Sequence, residues 1–163
     1  MPGALKTLAF NKSMSHKEGI KLFEVSDIVV PAENEIGSLN ARRLVALYAS
    51  HGAGFEVIHG LADRIMTCVQ IQPEKTYAMN SLNGDAYGDL RRVGRAGVVY
   101  SVRPSSDPVC FPGMGAEVVL HFEEEGKADQ VVGTFGVVHP EVLQNFEVTY
   151  PCSILEMDVE ALM

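Results

Sequence analysis

The chain has 163 residues, of which 47% are hydrophobic, and its formal net charge is −8. This length suits one ordinary domain, and the negative charge argues against a main nucleic-acid-binding surface because phosphates would be repelled. A locally basic spot remains around Arg91, Arg92 and Arg95.

Cysteine spacing and hydropathy exclude further classes of protein. Cys68, Cys110 and Cys152 form no CxxC pair, which argues against a disulfide framework and against a zinc knuckle. No apolar run approaches the roughly 18–20 residues of a membrane span, and the N-terminus lacks the pattern of a signal peptide. We therefore expect a cytoplasmic protein with reduced cysteines and no membrane partner.

The first third of the chain predicts one helix and two strands. Residues 2–14 indicate a helix because Pro2 suits a first turn and apolar residues recur at helical spacing. β-Branched and aromatic residues predict strands over 20–30 and 41–50, and the polar loop at 32–40 between them favours an antiparallel pair.

The clearest amphipathic helix spans residues 51–71. Its apolar residues recur at helical spacing and its polar residues form the opposite face. The apolar positions are Phe55, Ile58, Ala62, Ile65 and Val69. Gly60 in this helix should cost about 1 kcal/mol relative to alanine, a cost that close backbone packing at this position would explain.

The second half of the chain predicts several strands and a short helix. Residues 74–96 carry little periodicity and are interpreted as an exposed insertion. The other predicted elements are strands at 97–104, 116–126, 127–138 and 152–162, a turn-rich connection at 105–115, and a helix at 140–146. Because about six strands and three helices occur without a βαβ repeat, we predict a single α+β domain over 1–163. Its antiparallel sheet would carry helices on one face.

His139, Pro140 and Glu141 are the best candidates for acid–base chemistry, since a histidine and a carboxylate lie side by side. A structural role is the alternative. Pro140 suits the first position of a helix, which places His139 at the N-cap and Glu141 in the first turn, where its charge complements the helix dipole. This position favours a structural role in the turn into the helix.

Two glycine-rich stretches have the composition of anion-binding loops. At 113–117 ("GMGAE") β-forming residues follow in place of a helix, and the arginine of a synthetase ATP motif is absent, so we predict a tight turn before a strand. At 51–55 ("HGAGF") a helix does follow. Its first backbone amides could hold an anion; the alternative is a glycine-rich turn into the helix that binds nothing. No set of His, Cys and carboxylate residues has metal-ligand spacing.

Five stretches, in order along the chain, resemble one family. They are "PGALKTLAFNKSM", "IKLFEVSDIVV", "GFEVIHGLADRIM", "CFPGMGAEV" and "GTFGVVHPEVLQNFEVTYPCSILEMDV". They are similar to the C-terminal catalytic-like module of the phenylalanyl-tRNA synthetase beta subunit, in its eukaryotic cytosolic and archaeal form. The match runs from Pro2 to about Asp158, with 74–96 the least similar part. Met114 stands where the resemblance leads us to expect a basic residue.

The resemblance implies a class II aminoacyl-tRNA synthetase-like antiparallel sheet flanked by helices. It also implies that the chain is a C-terminal part of a longer beta subunit. In that family the alpha subunit activates phenylalanine with ATP and magnesium, and proofreading belongs to another domain of the beta subunit. On this basis we expect no catalytic, cofactor-binding or metal-binding residue in the chain.

The same resemblance implies partners. They are the alpha subunit, in a heterotetramer of two alpha and two beta chains, and tRNA(Phe) through the whole enzyme. The chain would then be a structural and subunit-assembly scaffold, with Leu5, Leu8 or the edge of the strand at 44–48 supplying the partner surface. The alternative is a class II synthetase-like module that binds a small ligand over its sheet.

Overall fold

The computed structural model describes residues 1–11, 19–33, 36–74, 95, 97–124 and 126–162. Most of the insertion predicted at 74–96 lies outside these residues, including Arg91 and Arg92, and so does Glu125 between the two strands predicted at 116–138.

Seven strands form one sheet within the described residues. They are β1 (Ile20–Pro31), β2 (Ser38–Ala49), β3 (Gln72–Pro73), β4 (Val98–Pro104), β5 (Cys110–Phe122), β6 (Gln130–Val138) and β7 (Cys152–Asp158). Their order across the sheet is β1-β2-β7-β6-β5-β4-β3. The predicted hairpins β1–β2 and β5–β6 are confirmed.

The prediction of a wholly antiparallel sheet is wrong at one edge. All neighbouring strands run antiparallel except β3 and β4, which are parallel. A parallel pair needs a crossover of a dozen or more residues, and the chain between β3 and β4 is long enough to provide one. The sheet is therefore mixed.

The described residues also form three α-helices and a short 3₁₀ turn. They are α1 (Pro2–Phe10), α2 (Phe55–Cys68), α3 (Pro140–Asn145) and the 3₁₀ turn Glu160–Leu162. The predicted last strand ends early because Asp158 Oδ1 accepts the N–H of Glu160 at 3.1 Å and that of Ala161 at 3.4 Å. None of the helices in the described part of the chain is long and apolar enough to cross a membrane.

The helices pack on both faces of the sheet, whereas the sequence predicted one face. In β7, Leu155 and Met157 join a core under α2, whereas Cys152 and Ile154 join a second core under α1 and α3. Successive residues of a strand point to opposite faces, so the two cores lie on opposite sides of the sheet. β7 is buried from both sides, which explains why its polar alternation does not appear as exposure.

β5 begins at Cys110, within the stretch predicted as a turn-rich connection. Its pairing with β6 shifts register between Cys110 and Gly115, and Gly113 in this irregularity has φ +77°. Opposite it, a Cβ on Gly136 would lie 2.5 Å from the Met114 carbonyl oxygen. Glycine at 136 thus permits the close approach of the two strands. The "GMGAE" stretch at 113–117 lies within β5, so the prediction of a tight turn before the strand is wrong.

Candidate functional site

His139 caps helix α3, as the sequence predicts. Its backbone is extended (φ −60°, ψ 137°), and its Nδ1 accepts the backbone N–H of Glu141 at 3.2 Å. The same Nδ1 lies 3.9 Å from Glu141 Oε2, beyond hydrogen-bonding distance. Because a backbone N–H already occupies the nitrogen that faces the carboxylate, the pair does not form a base and its orienting acid.

The glycine-rich entrance to α2 is a tight turn into the helix. Gly54 is the N-cap with φ +69°, and its carbonyl oxygen accepts the N–H of Val57 at 3.1 Å and of Ile58 at 3.3 Å. Glu56 places a carboxylate in the first turn, where it already complements the positive end of the helix dipole. These contacts favour the glycine turn over an anion site.

The cysteines offer no reactive thiolate in the interior. Cys110 and Cys152 are buried, and all three cysteines, including exposed Cys68, are free. Burial raises the pKa of the Cys152 thiol to about 12, and burial together with Asp107 raises the pKa of Cys110. Within the described residues, no group of three or more His, Cys, Asp and Glu side chains is placed to hold a metal.

Ser101, His121 and Asp129 form a hydrogen-bonded relay that sequence reasoning missed. Ser101 Oγ lies 2.7 Å from His121 Nε2, and His121 Nδ1 lies 2.9 Å from Asp129 Oδ1. The order matches a nucleophile, base and acid, but the Asp129 side chain is 57% exposed. Ser101 also lies within β4, where it is paired in register with Val119, so its neighbouring amides are not gathered into an oxyanion hole.

The relay therefore ties β4 to β5 and to the segment that enters β6. The β4–β5 register brings its serine and histidine together, and no motif at 101 or 121 could have revealed that register. A second tie lies on the α2 side of the sheet, where the Tyr100 hydroxyl donates to Asp63 Oδ1 at 2.9 Å. Burial and this carboxylate raise the pKa of Tyr100, so the phenol stays protonated and holds α2 against β4.

A surface rich in exposed apolar side chains lies at the β1 edge of the sheet. We call it the β1 surface. Its members are large apolar side chains with 39–85% exposure: Phe23, Val25, Ile28, Val29, Ile36 and Leu39. Phe23, Val25 and Val29 share one face of β1, whereas Ile28 lies on the other. Clusters of exposed apolar side chains are typical of interaction sites. Since β1 pairs only with β2 among the described strands, its other edge also presents free backbone groups.

Neither of the two segments expected to supply a partner surface forms an exposed edge within the described residues. Leu5 and Leu8 belong to α1 and are fully buried on its inner face. The strand at 44–48 lies inside β2, which is paired on one side with β1 and on the other with β7. The apolar residues of these two segments were recognised correctly, but they build the core, and the edge belongs to β1.

The outer half of β1 and β2 extends beyond the sheet as a two-stranded ribbon. β2 pairs with β7 only from Arg43 to Ala49, whereas its pairing with β1 continues to Ser38. Arg42 binds Asp27 across the ribbon through two bonds, with Nε–Oδ1 2.7 Å and Nη2–Oδ2 3.1 Å. The hydrogen bond from Arg42 lowers the pKa of Asp27, so this clasp persists into mildly acidic solution.

Comparisons with known proteins agree on one family. The sequence family described as "Phenylalanyl tRNA synthetase beta chain CLM domain" matches residues 1–159. The cytoplasmic phenylalanine–tRNA ligase beta subunit of Arabidopsis thaliana is 39% identical over 168 residues, which cover 100% of this chain and 24% of the plant protein. The Homo sapiens phenylalanine–tRNA ligase beta subunit is 39% identical over 160 residues, covering 98% of this chain and 22% of the human protein.

The chain spans about a quarter of the length of these curated relatives. A solved structure of pyrrolysyl-tRNA synthetase from Desulfitobacterium hafniense is also similar, with a TM-score of 0.58 and 12% sequence identity. That likeness covers 99% of this chain and 46% of the other. At this identity it concerns the fold alone.

Proposed function

The chain belongs to the phenylalanyl-tRNA synthetase beta-chain family, and from this premise we propose that it is a subunit-assembly scaffold of a phenylalanine–tRNA ligase. In this proposal the fold is of the class II synthetase type and the chain contains no active site. The whole enzyme, two alpha and two beta chains in the cytoplasm, attaches phenylalanine to tRNA(Phe) with ATP and magnesium.

The observation that carries the proposal is the β1 surface. Phe23 is 81% exposed and Val29 is 71% exposed along a 12-residue edge strand. An edge of this length with apolar side chains invites pairing with another chain, and strand addition is a common way to bind a partner. We assign the alpha subunit as that partner, because the relatives are beta subunits by name.

The chemistry of the polar groups supports the second half of the proposal. His139 is used as a helix cap, the buried cysteines are protonated, and the Ser101 relay ends in an exposed carboxylate. His139 and the relay are engaged by the chain's own helix and strands, and the buried thiols are held in the protonated form. Catalysis in the assembled enzyme is accordingly assigned to the alpha subunit.

Assembly tests the scaffold role directly. The full-length beta subunit carrying Val25→Lys and Val29→Lys is co-expressed with the alpha subunit, and the complex is measured by size-exclusion chromatography with light scattering. We expect the tetramer to be lost, because two cations would be placed in an apolar interface. Val131→Lys is the matched control, since Val131 is 44% exposed on β6. Full assembly of the double variant would refute the proposal.

A second measurement tests the proposal that the chain contains no active site. The full-length beta subunit alone should give no ATP–pyrophosphate exchange with phenylalanine above a buffer control. Exchange activity would contradict the proposal. Tight binding of phenylalanine or ATP by the beta subunit in calorimetry would support a small-ligand-binding module in its place.

A further inference from the structure

An apolar groove lies beside the β1 surface, between α2 and the strands β1 and β2. Its volume is about 440 Å³. Phe23 lines it from β1, and Val57 and Leu61 line it from α2. The exposed cations Lys21 and Arg64 also belong to its wall.

The groove exists because α2 covers only part of its face of the sheet. α2 buries Ile58, Ala62 and Met66 over the sheet centre. Phe23 is paired in register with Ala46 and therefore lies on the same face. Ala46 is 3% exposed under α2, whereas Phe23 is 81% exposed. One helix is thus laid on a face that has apolar surface for a second helix beside it.

The charge around the groove is opposite to that of the molecule. The chain carries a net charge of −8, yet both charged side chains in the groove wall are cations. Among the described residues neither Lys21 nor Arg64 has a carboxylate within salt-bridge distance, and Lys21 Nζ lies 5.9 Å from the centre of the Tyr48 ring. The groove is therefore complementary to an apolar segment flanked by acidic side chains.

We infer that this groove binds an amphipathic helix of the alpha subunit, with carboxylates on the flank of its apolar stripe; this inference rests on the proposed function. Such a helix lies beside α2, places side chains at i, i+3/i+4 and i+7 against Phe23, Val57 and Leu61, and pairs its carboxylates with Lys21 and Arg64. A second copy of this chain is a poor occupant. The apolar stripes of its described helices are already buried in the two cores.

Site-specific cross-linking in the assembled enzyme tests the occupant. A photo-reactive phenylalanine analogue is introduced at Val57 of the full-length beta subunit, in complex with the alpha subunit, and cross-linked peptides are identified by mass spectrometry. Val131 is the matched control, because the two valines are 45% and 44% exposed. We expect position 57 to label an alpha-subunit peptide with helical apolar spacing and acidic flanks. Labelling of another beta chain, of a strand-like or basic segment, or no more labelling than from 131 would overturn the inference.

Charge reversal tests the recognition. Lys21→Glu with Arg64→Glu should weaken alpha–beta association about tenfold, as expected for two exposed ion pairs. Reversing the acidic residues of the labelled alpha-subunit helix should restore it. Lys6→Glu with Lys127→Glu makes the same change in net charge at exposed positions outside the groove. If the Val25/Val29 variant dissociates while the groove reversal changes nothing, the helix inference fails and the proposed function stands. If neither variant weakens association, both fail.

Discussion

Ser153 is the buried polar residue of the described core, and its hydroxyl donates to the Ala53 carbonyl oxygen at 2.6 Å. This bond joins the interior strand β7 to the turn that enters α2. Other polar side chains also hold helices and strands in place. Tyr100 joins β4 to α2, and His139 closes the first turn of α3. These polar side chains fix the positions of helices and strands.

The N-cap role of His139 makes a quantitative prediction. His139→Ala should lower the free energy of unfolding by about 1 kcal/mol, because the Glu141 N–H loses its acceptor. His139→Asn, which keeps an acceptor at the cap, should retain most of the stability. Chemical denaturation measures both. Aminoacylation by an enzyme assembled with either variant should stay close to wild type, and a large loss of activity in a fully folded His139→Ala enzyme would restore the catalytic hypothesis.

The buried thiol of Cys152 predicts a loss of stability in alkali. Its pKa is raised from 9.0 to about 12, so between these values the unfolded chain releases a proton that the folded chain retains. The free energy of unfolding should therefore fall as pH rises above about 9, with a slope approaching 1.4 kcal/mol per pH unit from this group. Tyr100 and Cys110 add to the slope because their pKa values are also raised.

The free energy of unfolding of Cys152→Ala should fall less steeply with pH between 8 and 11 than that of wild type, whatever the stability of the variant at pH 8. Chemical denaturation at each pH measures this dependence. Cys68→Ala is the control, because Cys68 is exposed. Equal slopes in all three proteins would show that burial does not perturb the Cys152 thiol.

At the scale of single elements, two glycines differ in what they permit. Gly60 lies in α2, and a Cβ at this position would meet no other part of the described chain within 4 Å, so close packing is absent there among the described residues. Gly136 lies in β6, where a Cβ would meet the Met114 carbonyl oxygen at 2.5 Å and Gly115 Cα at 2.9 Å. The first glycine is dispensable for packing, and the second is required by it.

The same substitution should thus change stability in opposite directions. Gly60→Ala should raise the free energy of unfolding by up to about 1 kcal/mol, through helix propensity. Gly136→Ala should lower the free energy of unfolding by about 1–3 kcal/mol, because β5 and β6 would have to move apart to admit the new methyl group. Thermal and denaturant unfolding of the two variants measures the difference. A destabilised Gly60→Ala would contradict the open space at this position.

At the scale of the whole molecule, the sequence predicts elements whose side chains report directly on their surroundings. The spacing of Ile58 and Ala62 identified the buried face of α2, and Pro140 identified the start of α3. The order of the strands in the sheet cannot be inferred from such local patterns. Nothing near residue 152 indicates that this strand lies between β2 and β6. Gln72–Pro73 is too short for its sequence to predict a parallel strand. The expectation of an edge at 44–48 fails for the same reason, since the apolar strands at 20–30 and 41–50 cannot be told apart until one of them is known to form the edge.

The position of β7 governs how this sheet can be completed. β7 pairs with β2 on one side and β6 on the other, and it follows both of them along the chain. Until residues 152–158 leave the ribosome, the β1–β2 hairpin and the strands β4 to β6 share no pairing among the described residues. Long-range pairing of this kind slows folding and leaves open edges exposed while it waits. Among the described strands, the nascent chain therefore holds two half-sheets that join only when β7 inserts between them.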